Sequence, residues 1–347
     1  MIRVIAKRVL FFLFFLSGTS CVSQENPKLQ TYFKEYVGLN EGQVASIRGG
    51  QAFAKVLHSR GAEEIFVFGA VYIKASPESY IWFARDFERL RSYPGYLALE
   101  PFSRPPRIED VKEFKFDAED LKDLRKCKPN SCEIQLPSSA IEEVQKLVNW
   151  SDADAEEQVN RLAQKKVIEA ITAYQEKGNE TLGIYNDKKH PTEVPEQFKY
   201  MLSFSRALPK YLPDFNNYLL SYPVGKPDGI EDSFYWAKVK FGLKPTLRVI
   251  HVVTLKGRNA DEPVYSIAEK QLYSSHYFQT ALDLTFCVRD PNETNAAGFY
   301  LIKVMGSEQA GLTGFKGSIV RRVATDRSAS SLQKSLATIK QALEEKP

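Results

Sequence analysis

Several stretches of the chain have the residue pattern of β-strands. Residues 64–74 (EIFVFGAVYIK) are rich in β-branched and aromatic side chains, which suit the pleated surface of a sheet. From Phe278 onward the even-numbered positions are mostly apolar, whereas the odd-numbered positions include Asp283 and Arg289. This alternation predicts a half-buried antiparallel strand. By the same criteria, further strands are predicted over residues 96–102, 232–256, 263–289, 298–306 and 314–324.

Other stretches repeat their apolar residues at helical spacing. Ser76-Pro77 has the residues of a helix start, with serine as the cap and proline in the first turn. Residues 152–177 form an amphipathic pattern that Gly178 closes. The final helix is predicted from Leu332, Leu336, Ile339 and Leu343. Shorter helices are predicted over residues 27–37, 43–57, 195–204 and 211–221.

The order of these elements predicts an α+β fold with a curved antiparallel sheet, a central helical insert and a long C-terminal helix. The sheet and the terminal helix are assigned to residues 61–137 and 232–345. The insert is assigned to residues 138–231, and a separate N-terminal helical segment to residues 21–60.

The N-terminus has the layout of a secretory signal peptide, assigned to residues 1–20. Arg3, Lys7 and Arg8 precede an unbroken apolar run at positions 9–16, which is too short for a membrane span. The next residues, SGTS followed by Cys21, allow either simple cleavage or lipidation of Cys21, and an uncleaved anchor is a third alternative. We therefore expect an exported protein of the periplasm or outer envelope, tethered to the membrane if Cys21 is lipidated.

The signal segment also accounts for most of the basic charge. The formal net charge is +4, and three basic residues with no acid lie in residues 1–20, so the remainder carries +4 − 3 = +1. A nucleic-acid-binding surface needs a concentration of positive charge, which this balance does not supply. No nucleic-acid partner is expected, and membrane contact is expected only through the signal segment or a lipidated Cys21.

Cysteine spacing favours a disulfide. Cys127 and Cys132 enclose KPNS, whose proline and asparagine are turn formers, and such a pair can bond in an oxidising compartment. Free thiols are the alternative. A metal site needs four ligands, and no second Cys or His pair supplies them, so neither a metal nor another cofactor is expected. Cys287 lies in a strand-like run and is expected to be buried and unreactive.

Two resemblances bear on the fold. The element order and the ending GSIVRRV…LQKSLATIKQALEE resemble the helix-grip plan of START-related domains over residues 61–136 and 232–345. That resemblance implies a curved sheet that wraps a long terminal helix around an apolar cavity. Five further strings are distinctive: VFGAVYI at 67, FSRPPRIEDV at 102, LRKCKPNSCEIQLP at 124, FYWAKVKFGLKP at 234 and SSHYFQTAL at 274. In these strings the chain resembles a family of secreted bacterial proteins with no assigned activity.

Histidines on neighbouring predicted strands provide the candidate site. His251 follows RVI on one strand, and His276 lies in YSSHYF on the next. Imidazoles at a cavity mouth could bind a ligand head group or act as a base, but the favoured interpretation is that both are satisfied polar residues at a sheet edge or bend. Tyr235 and Trp236 are either pocket-lining or core aromatics. The candidate ligand-binding residues are Trp236, His251, Lys270, Tyr273, His276 and Tyr277.

Catalytic motifs are missing from the sequence. Ser274-Ser275 lacks the flanking glycines of a nucleophile elbow, and no HExxH, P-loop or GxGxxG occurs. The favoured hypothesis is an exported bacterial envelope protein that binds a lipid or another apolar or amphipathic small ligand between sheet and terminal helix. The alternative is a non-enzymatic interaction or assembly factor with a filled core and an unidentified protein partner. A cyclase or hydrolase that uses His276 or His251 is the least favoured.

Overall fold

The computed structural model describes residues 27–188, 191–259, 262–289, 298–309 and 311–345. The predicted signal peptide and Cys21 lie outside these ranges. Within them, no helix combines the length and the apolar character needed to cross a membrane.

The described residues form an eight-stranded antiparallel sheet in the order β1-β2-β10-β9-β8-β7-β6-β3, and β4 pairs with β5 in a small separate hairpin. The strands are β1 (Phe53–Leu57), β2 (Glu64–Ile73), β3 (Tyr96–Pro101), β4 (Ile184–Tyr185), β5 (Thr192–Glu193), β6 (Ile230–Phe241), β7 (Lys244–Lys256), β8 (Tyr265–Ser274), β9 (Phe278–Arg289) and β10 (Phe299–Gln309). The predicted α+β class with an antiparallel sheet is confirmed.

Helices cover both faces of this sheet. They are α1 (Pro27–Thr31), α2 (Glu41–Arg48), α3 (Pro77–Arg85), α4 (Phe87–Arg91), α5 (Ala118–Leu124), α6 (Ser138–Leu147), α7 (Ala155–Lys177), α8 (Val194–Phe204), α9 (Ala207–Tyr211), α10 (Pro213–Ser221) and α11 (Gly314–Glu344). A π-helical turn spans Tyr32–Tyr36, and 3₁₀ turns span Ile108–Val111 and Gly178–Thr181. The long C-terminal helix is thus confirmed.

One face of the sheet carries the terminal helix. Leu332 and Leu336 of α11 are buried in a cluster that includes Val67 and Val71 of β2. Between these two valines, Gly69 lets the helix approach closely, because a Cβ built there would lie 2.7 Å from atoms of both leucines. The side of β2, β7, β8, β9 and β10 that faces α3 and α11 is called the helix side below.

The opposite face carries the helical insert and the N-terminal helices. Phe66 of β2 packs in one cluster with residues of α5 to α10, and Phe68 packs with Phe33 and Ile47 of the N-terminal helices. We call this the insert side. Because neighbouring residues of a strand point to opposite faces, each strand contributes to both layers.

Four predicted segments differ from the structure. Residues 314–324 are the first turns of α11 and not a strand. Residues 43–57 contain α2 and then β1, so only the first half is helical. The long strand-like segments 232–256 and 263–289 are each two strands joined by a turn, at Gly242 (φ +64°) in the first and around Tyr277 (φ +63°) in the second.

The predicted disulfide is confirmed. Cys127 and Cys132 bond with an S–S distance of 2.01 Å, and both are buried beside α5. Cys287 on β9 is a buried free thiol, as expected, and burial raises its pKa. A high pKa keeps the thiol protonated and unreactive.

Candidate functional site

A cavity of about 920 Å³ lies on the helix side of the sheet. Strands β6, β7, β8 and β10 form its floor, and α3, α4 and α11 form its walls. We call it the helix-side cavity. Its volume falls in the range of small-molecule and cofactor sites, about 300–1,000 Å³.

The walls of the helix-side cavity are largely apolar and aromatic. The hairpin of α3 and α4 contributes Phe83 and Phe87, and the terminal helix contributes Ile339. Phe87 meets the ring of Tyr235 edge to face, with ring centroids 5.8 Å apart. The guanidinium of Arg89 stacks on the Phe83 ring, with its Cζ 3.4 Å from the ring centroid.

The floor of the cavity carries charged side chains. Glu269 of β8 and Lys303 of β10 line it. Asp283 of β9 is directly opposite Glu269 in the strand register, so the two carboxylates share the helix side. Arg248 lies on the same side of β7 as the cavity residue Val252, and its Nε donates to Gln271 Oε1 at 3.0 Å. Glu269 and Lys303 line the cavity, and Arg248 and Asp283 lie beside them on the helix side of the sheet. The four together (Arg248, Glu269, Asp283 and Lys303) are called the charged floor below.

Electrostatics at the charged floor follow from burial and proximity. Burial raises the pKa of Asp283 to about 6, and repulsion by Glu269 adds to the rise. Burial alone would lower the pKa of Lys303, but Tyr80 and the two carboxylates outweigh it and raise the pKa above its usual value. Lys303 therefore stays charged at neutral pH.

Three tyrosines surround the charged floor. Burial raises the pKa values of Tyr80, Tyr96 and Tyr235. Their hydroxyls therefore remain protonated at neutral pH and can both donate and accept hydrogen bonds. Together with the charged floor they offer a ligand several polar contacts beneath apolar walls.

Two ion pairs lie at the rim of the cavity. Arg85 Nη2 contacts Glu231 Oε2 at 2.6 Å, and Lys226 Nζ contacts Asp232 Oδ2 at 2.7 Å. All four residues line the cavity. They join α3 and the loop before β6 to strand β6.

His251, the first of the sequence-predicted site residues, lies on the insert side. Its Nε2 donates to Asp232 Oδ1 at 2.9 Å, and its Nδ1 accepts from the Tyr174 hydroxyl at 3.1 Å. The ring stacks on Phe234 at 4.4 Å. Burial lowers its pKa to about 4, although Asp232 opposes the shift. The imidazole is thus neutral, oriented and only 1% exposed.

Lys270 is next to His251 and is equally buried. It is directly opposite His251 in the strand register, and its Nζ contacts Asn179 Oδ1 and lies 3.7 Å from the centroid of Phe198. No carboxylate pairs with it among the described residues, and burial lowers its pKa well below the usual value. His251 and Lys270 are therefore the part of the predicted cluster that the fold does bring together.

The other predicted residues lie in separate places. Trp236 is buried, and its indole N–H donates to Asp110 O at 2.7 Å. His276 Nε2 donates to Asp120 Oδ1 at 3.0 Å at the far end of β8. The Tyr277 hydroxyl accepts the backbone N–H groups of Leu243 and Lys244 at 2.9 and 2.8 Å. The contacts of Trp236 and His276 orient these two side chains, and those of Tyr277 hold the turn between β6 and β7. None of the three residues lines the helix-side cavity.

Tyr273 lines a second, smaller cavity on the insert side. This space of about 320 Å³ lies between α6, α7 and the sheet, with apolar residues such as Val167 and Leu272 around it. The Tyr273 hydroxyl is buried and has no hydrogen-bond partner among the described residues. The predicted cluster at one cavity mouth is therefore corrected to several separate locations, none of which lies in the helix-side cavity.

Sequence reasoning missed the charged floor. Trp236, His251 and Lys270 are each one residue away from a residue of the helix-side cavity, namely Tyr235, Val252 and Glu269. A shift of one residue moves a side chain to the other face of a sheet. The available signal was the run of polar residues at odd positions of β9, which includes Asp283.

Among the described residues, no group of three or more His, Cys, Asp or Glu side chains could hold a metal ion. The charged floor itself has two carboxylates and two cations, which is a poor donor set for a cation. Comparisons with known proteins identify no family for this chain, since no protein-family model and no curated protein matches it.

Proposed function

We propose that the protein binds an amphipathic small molecule in the helix-side cavity. The observation that carries the proposal is a space of about 920 Å³ with aromatic walls and a charged floor, between the sheet and the terminal helix. Apolar walls favour the hydrocarbon or ring portion of a ligand by burying it away from water. The few convergent polar groups fix its orientation.

The charged floor determines what charge the polar end of the ligand can carry. Lys303 and Arg248 balance Glu269 and Asp283, so the four groups together carry little net charge. A bare anion or cation would gain from two of these groups and be repelled by the other two. The proposed ligand therefore has an uncharged hydrogen-bonding group, or a group with both signs of charge, at its buried end.

The cavity favours this proposal over the assembly-factor hypothesis, because that hypothesis requires a filled core between sheet and helix. The enzyme hypothesis loses support at its named residues. His251 and His276 are buried and hydrogen-bonded to carboxylates, and neither imidazole lines the helix-side cavity. We further propose that the protein acts after export in the bacterial envelope, with which the disulfide is compatible.

Native mass spectrometry of the purified protein tests the proposal. Thr338 lines the cavity from α11, whereas Ser331 is an exposed residue of the same helix outside it. We expect the parent and Ser331→Trp to carry a bound mass that denaturation releases, and Thr338→Trp to lack it. A parent that is empty after mild purification, or an equal load on Thr338→Trp, contradicts the proposal.

A further inference from the structure

The first turns of α11 expose a row of large apolar side chains. Phe315 is 85% exposed, Ile319 56%, Val320 53% and Val323 43%. At about 100° per residue these positions cover an arc of about 140° on one side of the helix. No described residue covers this arc, which we call the α11 patch.

The opposite side of the same turns is attached to the protein. Arg321 donates from Nε to Ala62 O at 2.8 Å and from Nη2 to Ser59 Oγ at 2.9 Å, and Gly317 and Thr325 are buried. The helix is therefore fixed, and the patch faces outward as a formed surface. The side of the helix that packs against the protein is made by Gly317, Arg321 and Thr325. The fold therefore does not require the exposed positions of the patch to be apolar.

Positive charge accompanies the α11 patch. Three exposed basic residues lie within or beside the apolar arc: Lys316, Arg322 and Arg327. Between residues 314 and 327 the one acidic residue is Asp326, which is also exposed. Apolar side chains interleaved with lysine and arginine are the composition of helices that lie in the interface of an anionic membrane. The long basic side chains can reach the phosphates while the apolar groups enter the acyl boundary.

We propose that the α11 patch binds the surface of an anionic lipid membrane. A second copy of the chain fits less well, because a symmetric contact through the patch would bring the same cations of both copies together. Val323 is 12 residues before Ser335 at the cavity, about 18 Å along the helix. The inference thus concerns a different surface and does not depend on ligand binding.

Tryptophan fluorescence on the full chain tests this inference. Phe315→Trp places a reporter in the patch, and Leu243→Trp places one at another exposed position, 99% accessible in the parent. The vesicles contain phosphatidylcholine with or without phosphatidylglycerol, and their acyl chains are dibrominated. All variants and the parent contain residues 1–20, so any membrane attachment through that segment is the same in every sample. Subtraction of the parent's tryptophan emission isolates the emission of the new tryptophan.

We expect phosphatidylglycerol vesicles to quench the added emission of Phe315→Trp about twofold or more, because bromines in the acyl chains would contact the new indole. The added emission of Leu243→Trp should change little. Arg322→Gln should weaken binding to these vesicles about fivefold, and Lys334→Gln, on the same helix outside the patch, should leave it unchanged. Three results would overturn the inference: no quenching at position 315, equal quenching at position 243, or a concentration-dependent blue shift without vesicles, which would indicate a second copy.

Discussion

His251 and Asp232 show how two buried polar residues satisfy each other by hydrogen bonding in this fold. Burial alone would raise the pKa of Asp232, but hydrogen bonds from His251, Lys226 and Tyr218 outweigh it and lower the pKa to about 2. The carboxylate therefore stays charged while the imidazole stays neutral. Their hydrogen bonds explain why neither residue needs a ligand to be stable in the core.

The neutral His251 should make stability depend on pH. Its pKa is about 4 in the folded protein and near 6.5 in an unfolded chain, so the unfolded state binds the proton more tightly. Stability should fall as the pH drops from about 6.5 to 4, by on the order of 3 kcal/mol. Urea unfolding at pH 7.5 and 4.5 measures it. His251→Gln should lose this part of the pH dependence, and His58→Gln, at an exposed histidine, should keep it; equal behaviour of the two variants contradicts the account.

Gly178, at the end of α7, is a second residue with a specific requirement. It has φ +71° and ψ −143°, and a Cβ there would lie 1.7 Å from the backbone oxygen of Tyr222. Gly178→Ala should cost about 3 kcal/mol or more, because strain and a backbone clash add. Gly225 has a similar φ of +70° but open space around it. Gly225→Ala should therefore cost only about 1–2 kcal/mol in the same denaturant series, and a smaller effect at Gly178 than at Gly225 would refute the role of the clash.

At the scale of elements, the terminal helix depends on close contact with β2. Gly69→Val should destabilise the protein by about 1–3 kcal/mol, because the added atoms overlap Leu332 and Leu336 in a packed layer. Gly61→Val is the matched control, since nothing lies within 4 Å of that position. Chemical denaturation compares the two variants. Equal midpoints would mean that the helix does not need the glycine.

Elements also differ in how well their local pattern predicted them. The alternation on β9 correctly identified a strand, and Ser76-Pro77 correctly identified the start of α3. Residues 314–324 have the pattern of a strand because they include the β-branched residues Ile319, Val320 and Val323, and such residues are enriched in strands. The pattern indicates which residues are apolar, but the partner that covers them depends on distant parts of the chain.

At the scale of the whole molecule, helices cover both faces of the sheet, and this explains why the site could not be located from the sequence. The polar side of β9 would face water in a two-layer protein, whereas here it faces the layer of α3 and α11. Asp283 therefore becomes part of a half-buried charged floor. The cavity between sheet and helix could be anticipated from element order; its lining residues could not, since they depend on which face each strand presents.

The charged floor should make the free energy of unfolding depend on pH. The pKa of Asp283 is about 6 in the folded protein and near 3.9 when unfolded, so the folded state binds the proton more tightly. This contribution should fall as the pH rises from about 4 to 6, by on the order of 1–2 kcal/mol given partial solvent access. Asp283→Asn should thus be more stable relative to the parent at pH 7 than at pH 4, as measured by urea unfolding at both values. A difference that is independent of pH would contradict the burial of this carboxyl group.

A fluorescence titration with prodan, an uncharged amphipathic fluorophore, tests the central claim most directly. The parent and Ser331→Trp should bind it with a blue-shifted emission and similar affinity. Thr338→Trp should bind it at least about tenfold more weakly, because the indole fills space that the ligand needs. Equal affinity in all three proteins, or no binding by the parent, would contradict a ligand site between the sheet and the terminal helix.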